Sequence, residues 1–207
     1  MDVVVLATKN RGKARELETM LAGAVLRVES LADHPSLALP PEGARSYREN
    51  AEAKARAVWR ALGLPAIGDD SGLEVDALGG APGVTSARFA GPDADDAANN
   101  TRLLEELQGV PPERRGARFR CVLALVESDG PALVAEGVCP GRILETPRGS
   151  HGFGYDPLFL PEGETQTFAE LPREVKNRGS HRGRAASALR ELLERRGREG
   201  RHPPGQR

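Results

Sequence analysis

The apolar positions of this chain fall into short blocks separated by Gly, Pro and Asp, and the blocks alternate between strand-like and helix-like spacing. Val3-Val4-Val5-Leu6-Ala7 is an unbroken run rich in β-branched residues, which predicts a buried strand. The polar turn Thr8-Lys9-Asn10-Arg11-Gly12 follows, and Leu17, Met20 and Leu21 carry helical spacing through Lys13–Leu21. Ala24–Glu29 reads as a second strand, and a Pro-rich loop from Asp33 to Arg45 leads to Ser46. With Glu49 three residues on, Ser46 opens a capping box, and the Ala-rich Asn50–Leu62 segment continues the helix until Gly63 and Pro65.

Ala66-Ile67-Gly68 predicts a short strand running into the turn Asp69-Asp70-Ser71-Gly72, with Leu73–Leu78 extended beyond it. Asp95–Leu107 predicts a helix stopped by Gly109 and Pro111-Pro112. The clearest hairpin is Phe119–Glu127, turning at Asp129-Gly130 and returning along Ala132–Val138. A Gly-rich loop over Gly149–Asp156 precedes Pro157–Leu160, and the last helix spans Arg184–Arg195. A strand-turn-helix start followed by mixed strands and helices predicts an α/β protein with a partly antiparallel sheet.

Length and composition narrow this picture. The 207 residues fit one domain, residues 1–196, followed by a basic tail, 197–207, that is expected to be disordered. Leu, Ile, Val and Phe make up about 22% of the chain and the net charge is only −1, so the chain can collapse around a core. No apolar run reaches the ~18 residues of a membrane helix, and the start lacks the basic flank of a signal peptide. The two cysteines, Cys121 and Cys139, fall in predicted strands and read as buried free thiols. A cytoplasmic protein without a membrane or stable nucleic-acid partner is expected. Only four of the 29 basic residues are Lys, namely Lys9, Lys13, Lys54 and Lys176, which points to lysine being kept where a compact point charge is needed.

Four clusters can carry chemistry. Thr8, Asn10 and Lys13 sit where a strand meets a helix, and free amides at a helix start attract phosphate. The adjacent carboxylates Asp69 and Asp70 can bind Mg²⁺ or orient a water, and their mutual repulsion calls for a cationic neighbour. Glu42 is a further candidate oxygen ligand. Phe153 and Tyr155 lie among glycines in a chain with only eight aromatics, and an aromatic face stacked on a base is worth about 1–3 kcal/mol. Lys176, His181 and Arg182 supply donors suited to ligand carbonyls. Phosphate donors, a carboxylate–metal centre, an aromatic platform and base-directed donors together describe a nucleoside triphosphate site.

From Val3 to Leu193 the chain resembles the non-standard purine nucleoside triphosphate pyrophosphatase family. The resemblance rests on Leu6–Lys13, Glu49-Asn50-Ala51 with Lys54, Asp69–Leu73, Gly79–Gly83, Ser86–Phe89, Gly152–Pro157 and Ser180–Gly183. It implies an ITPase-like two-lobed α/β fold around a long mixed sheet flanked by helices, and a homodimer. It also implies Mg²⁺ dependence, with Mn²⁺ as an alternative, and cleavage of ITP, dITP or XTP between the α- and β-phosphates.

By matching position, Thr8, Lys9, Asn10, Arg11, Gly12, Lys13 and Lys54 hold phosphates. Asp70 is the base that activates water, and Glu42, Asp70 and Asp69 are metal ligands, Asp69 in an outer or alternative role. Ser71, Phe153, Gly154, Tyr155, Asp156, Lys176, His181 and Arg182 contact the nucleotide. The chain departs from the family pattern where it reads Glu42-Gly43-Ala44-Arg45-Ser46-Tyr47 in place of Glu-Thr-Gly-x-Thr-Phe, and at Thr85, where the family often has Tyr. Rival readings are a pyrophosphatase for modified pyrimidine nucleotides, a nucleotide sensor without turnover, and RNA binding through the tail. A Nudix enzyme is excluded because no Gly-led R-E-x-x-E-E cluster is present.

Overall fold

The computed structural model describes residues 3–22, 27–41, 43 and 46–199. Six strands form one sheet in the order β2-β1-β3-β4-β5-β6. They are β1 (Val3–Ala7), β2 (Arg27–Ser30), β3 (Ala66–Val75), β4 (Gly116–Val126), β5 (Leu133–Ile143) and β6 (Phe159–Pro161). β1 runs parallel to both β2 and β3, while β3, β4, β5 and β6 pair antiparallel. The mixed α/β architecture expected from the sequence is the one observed.

Helices α1 (Arg11–Leu21) and α5 (His181–Glu199) cover one face of the sheet. Val4, Leu6, Ile67, Leu123 and Leu125 from the strands meet Leu17, Leu21 and Leu189 there. Leu17 and Leu21 are fully buried, each contributing about 1.5–3 kcal/mol by leaving water. Helix α2 (Tyr47–Leu62) covers the other face, packing Ala51, Ala55 and Val58 on β1, β3 and β4. Ser46 caps the helix as expected, its Oγ accepting the Glu49 N–H at 3.2 Å. The Glu49 carboxylate, however, accepts from Ser46 Oγ at 3.1 Å rather than from the Ser46 backbone N–H of a full capping box. A side chain at Gly68 would run into the Ala51 carbonyl, so this glycine lets α2 approach β3 closely.

A second core gathers around Phe119, Tyr155, Phe159 and Phe168 beneath α3 (Asp96–Glu106), giving the lobe beyond the middle of β3 and β4 its own apolar centre. The short helix α4 (Arg173–Gly179) then leads into α5. Among the described residues no helix is long and apolar enough to cross a membrane. Cys121 and Cys139 are buried and free, as expected.

Several expectations need correction. Asp69-Asp70-Ser71-Gly72 is not a turn: it forms the middle of the ten-residue β3, paired in register with Leu123, Val122, Cys121 and Arg120 of β4. Ladder pairing overrides the local turn preference of Asp, Ser and Gly. Leu73–Leu78 stays extended only to Val75, then turns as a single 3₁₀ turn over Asp76–Leu78. The last helix starts at His181 rather than Arg184 and runs to Glu199, past the expected domain end at 196. The second strand begins at Arg27, and residues 24–26 lie outside the described residues, as do 200–207 of the tail.

Candidate active site

Parallel strands place ligands where the connections leave the sheet in opposite directions, and here that point is the end of β1. One connection from this region passes through α1 on one face, the other through α2 on the opposite face. β1 pairs with β3 only from Val5 to Ala7, opposite Ala66 to Gly68. From Asp69 onward the edge of β3 runs past the end of β1. Further along, Ser86 Oγ accepts the Leu73 N–H at 2.9 Å and the Ala81 carbonyl accepts the Val75 N–H at 3.1 Å. Strand alternation therefore directs the Ser71 N–H to the same edge.

Alternation also sends the two adjacent aspartates to opposite faces. Asp69 lies on the α1/α5 face. Lys13 Nζ reaches its Oδ1 at 2.7 Å, and Arg182 Nε reaches its Oδ2 at 2.7 Å. Cys121 Sγ donates to Oδ2 at 3.4 Å and Ser71 Oγ to Oδ1 at 3.2 Å. Burial opposes ionisation of Asp69, but Arg182 and Lys13 outweigh it and hold the pKa well below the usual 3.8. Asp70 lies on the α2 face. Lys54 Nζ donates to its Oδ1 at 2.8 Å and Asn50 Nδ2 to its Oδ2 at 3.0 Å. Here burial wins over Lys54 and Lys13, and the Asp70 pKa rises above 3.8. Each carboxylate has the cationic neighbour that its charge requires, but the two do not converge on one ion.

The Asp69 face continues as a buried ion network. Glu16 of α1 accepts from Lys176 Nζ at 2.9 Å and from Arg182 at 2.6 Å. Lys176 also reaches Asp156 Oδ2 at 2.5 Å, and Arg182 donates to Ser71 Oγ at 2.8 Å. Lysine has three N–H donors and arginine five, so Lys176 keeps one for a ligand after serving its two carboxylates. Burial alone would lower the Arg182 pKa, yet Asp69 and Glu16 raise it, so the guanidinium stays charged.

His181 stacks on Phe119 with ring centroids 4.6 Å apart, and its buried Nδ1 has no hydrogen-bond partner among the described residues. Burial, then the Arg182 charge, hold its pKa well below 6.5, so the ring is neutral at neutral pH. His181 lines a narrow cleft together with Lys13, Ser71, Phe153, Lys176 and Arg182.

Phe153 closes that cleft. Its ring lies 4.8 Å from Lys176 Nζ and 5.7 Å from Arg182 Cζ, a cation–π arrangement. A Cβ on Gly12 would stand 2.5 Å from the ring, so Gly12 provides the seat for Phe153. Asp156 fixes the loop by accepting the Phe153 N–H at 2.9 Å. Tyr155 is buried and donates its hydroxyl to the Ser86 carbonyl at 2.8 Å, so it acts as a strut rather than an exposed platform.

The first turn divides as well. Asn10 Oδ1 caps α1 by accepting the Lys13 N–H at 3.0 Å, and Thr8 Oγ1 accepts the Asn10 N–H at 3.1 Å. Lys9 and Arg11 are exposed and border a separate shallow groove with Leu31 and Pro35. They do not join the ion network of the cleft. Glu42, expected as a metal ligand, lies outside the described residues.

Sequence reasoning missed Glu16, Asp96, Asn100 and Phe119. Glu16 leaves a visible signal, a carboxylate between Ala14 and Leu17 on the apolar face of a helix. Asn50 and Lys54, one turn apart on α2, converge on Asp70.

Comparison with known proteins shows the family. The model of the Ham1 family matches residues 4–192. The dITP/XTP pyrophosphatase of Syntrophobacter fumaroxidans is 52% identical over 187 residues, covering 90% of this chain and 80% of that protein. The dITP/XTP pyrophosphatase of Methylococcus capsulatus is 53% identical over 191 residues, covering 90% and 93%. Among solved structures, a HAM1 protein from Coxiella burnetii superposes with a TM-score of 0.84 at 39% identity, covering 94% of this chain and all of that one. The dITP/XTP pyrophosphatase of Mycobacterium abscessus superposes at 0.73 with 46% identity, covering 90% and 98%.

Proposed function

We propose that this chain, which belongs to the Ham1 family, hydrolyses the non-standard purine nucleotides dITP, XTP and ITP to the monophosphate and pyrophosphate. The observation that carries the reading is the division of β3: Asp70 stands with Lys54 and Asn50 on one face, while a network able to hold a purine occupies the other. A nucleotide laid across the open edge of β3 reaches both faces.

In this reading Asp70 accepts a proton from the water that attacks the α-phosphorus. Its geometry supports that role: each Asp70 oxygen keeps a lone pair beyond the one taken by Lys54 or Asn50, so one can accept a proton from a bound water. Lys54 and Lys13 neutralise charge on the phosphates, and the Ser71 N–H on the open edge is a further donor. Positioning and electrostatics supply most of the acceleration in such transfers.

The donor set suits Mg²⁺. This ion binds through one or two carboxylates plus substrate phosphates, and Asp70 offers two oxygens with lone pairs left over. Asp70 and Glu42 would hold it, and when bound it neutralises phosphate charge. Mn²⁺ would fit the same oxygens.

On the base side, Lys176, Arg182 and His181 direct polar groups into the cleft beneath Phe153. Inosine and xanthosine carry a carbonyl at C6 where adenosine carries an amino group. An amine facing buried N–H donors leaves them unpaired, at a cost of about 1–3 kcal/mol. The family resemblance carries the homodimer, which light scattering of the purified protein checks.

Pyrophosphate release from ITP, XTP, ATP and GTP, with and without Mg²⁺, tests the proposal. Mg²⁺-dependent release from ITP and XTP well above ATP and GTP is expected. Tight ITP binding without release would make the protein a sensor and overturn the reading.

A further inference from the structure

Helix α3 borders the cleft through Asp96 and Asn99, and its first two turns grip the aromatic loop. Asp96 Oδ2 accepts the Gly154 N–H at 2.6 Å. Asn100 Nδ2 donates to the Gly154 carbonyl at 2.8 Å and to the Asp96 carbonyl at 2.7 Å. The two side chains are one helical turn apart and so share a face of α3. Between them, Asn99 points elsewhere: it donates to the Ala87 carbonyl at 3.2 Å and accepts the Ala90 N–H at 2.9 Å.

We propose that Asp96 and Asn100 are positioning residues that hold both polar groups of Gly154, fixing Phe153 over the nucleotide cleft. This rests on the functional reading above and extends it from the lining of the cleft to the hydrogen bonds that hold its aromatic loop. With the Asp156 carboxylate on the Phe153 N–H and the Asp156 N–H on the Phe153 carbonyl, four successive backbone groups of the loop are tied down. On the far side, Tyr155 is anchored to Ser86, whose Oγ in turn accepts the Leu73 N–H of β3. The loop that closes the cleft is thereby referenced to the strand that carries Asp69 and Asp70. A Gly-rich loop left free would lose much conformational freedom on closing over a ligand, and prior fixing removes that cost from binding.

Asp96 is not needed to start its helix. Asp95 is the N-cap, its Oδ1 accepting the Ala98 N–H at 2.7 Å. Removing the Asp96 carboxylate therefore leaves α3 capped and releases only the loop.

The test compares Asp96→Ala and Asp96→Asn, the second keeping a side-chain oxygen acceptor, by two readouts. Hydrogen exchange at the Gly154 amide reports the clamp without substrate, and steady-state kinetics with ITP report its consequence. Asp96→Ala is expected to speed Gly154 exchange about tenfold and raise the KM for ITP about tenfold, as loss of a hydrogen bond to a charged group implies. The kcat should stay within about twofold, the signature of lost binding rather than lost chemistry. Asp96→Asn should restore most of both values. Faster exchange in Asp96→Ala with unchanged KM overturns the positioning role, as does an equal fall of kcat in both variants. A wild-type protein that leaves ITP intact, while Asp96→Ala still loosens Gly154, overturns the functional reading and keeps the clamp.

Discussion

The two faces of β3 carry consecutive aspartates in opposite electrostatic states. Asp69 meets two cations and two further donors, and its pKa is driven far down. Among the described residues Asp70 bonds one cation and one amide, and burial prevails over these and the more distant Lys13, driving its pKa up. Asp69 is thus an anchor: its charge is fully used in organising Lys13, Arg182 and, through Arg182, Glu16 and Lys176. Asp70 keeps proton affinity in reserve, which is what a base requires. The difference teaches that adjacency in sequence says little about shared function when a strand sends neighbours to opposite faces.

The comparison breaks most sharply at Asp70. Asp70→Asn should lower kcat by about 10²–10⁴, the usual worth of a positioned general base, with the fold intact. A variant that keeps near-normal turnover of ITP would remove the base from the Asp70 face.

Asp69→Asn should instead act on stability. It leaves Arg182 and Lys13 short of a buried partner, at a cost of about 3–5 kcal/mol read by urea unfolding. The sign with pH follows from the two shifts. The depressed Asp69 pKa stabilises the fold above the unfolded-state value and loses that contribution as pH falls through the folded value. The raised Asp70 pKa does the reverse, so ionised Asp70 costs stability at neutral pH, while Asp70→Asn also strips buried Lys54 of this carboxylate. The two effects oppose each other, and the loss on urea unfolding should be smaller than for Asp69→Asn. Equal destabilisation by both variants at neutral pH would erase the contrast.

The smallest expected effect is on selectivity. His181→Ala removes a ring that lines the cleft and whose buried Nδ1 has no partner among the described residues, and should cost about tenfold on ITP while changing ATP turnover less. Equal losses on both substrates would take His181 out of base reading.

Much of this was legible in the chain. The β-branched run at Val3–Ala7, the N-cap at Ser46 and the hairpin turn at Asp129-Gly130 each specify their element locally, and all three elements appear. Of the four lysines, Lys13, Lys54 and Lys176 pair with buried carboxylates, so sparing use of lysine did mark the buried ion pairs, while Lys9 stayed in solvent.

What could not be read locally depends on partners distant in sequence. Asp69–Gly72 has turn composition, and only pairing with β4 some fifty residues on keeps it extended. The seven-residue α4 carries no apolar stripe and follows Pro172, so no periodicity announced it. The clamp on Gly154 joins polar residues that look like ordinary solvated helix positions until the loop is seen to lie against them.

The most direct test of the division between faces is the Kd of ITP for Asp70→Asn set beside that for Lys176→Met. The account predicts that Asp70→Asn binds ITP within about threefold of wild type despite its lost turnover, while Lys176→Met binds at least about tenfold more weakly. If Asp70→Asn loses binding as severely as Lys176→Met, the purine and the reacting phosphate are not handled on separate faces of β3, and the central claim fails.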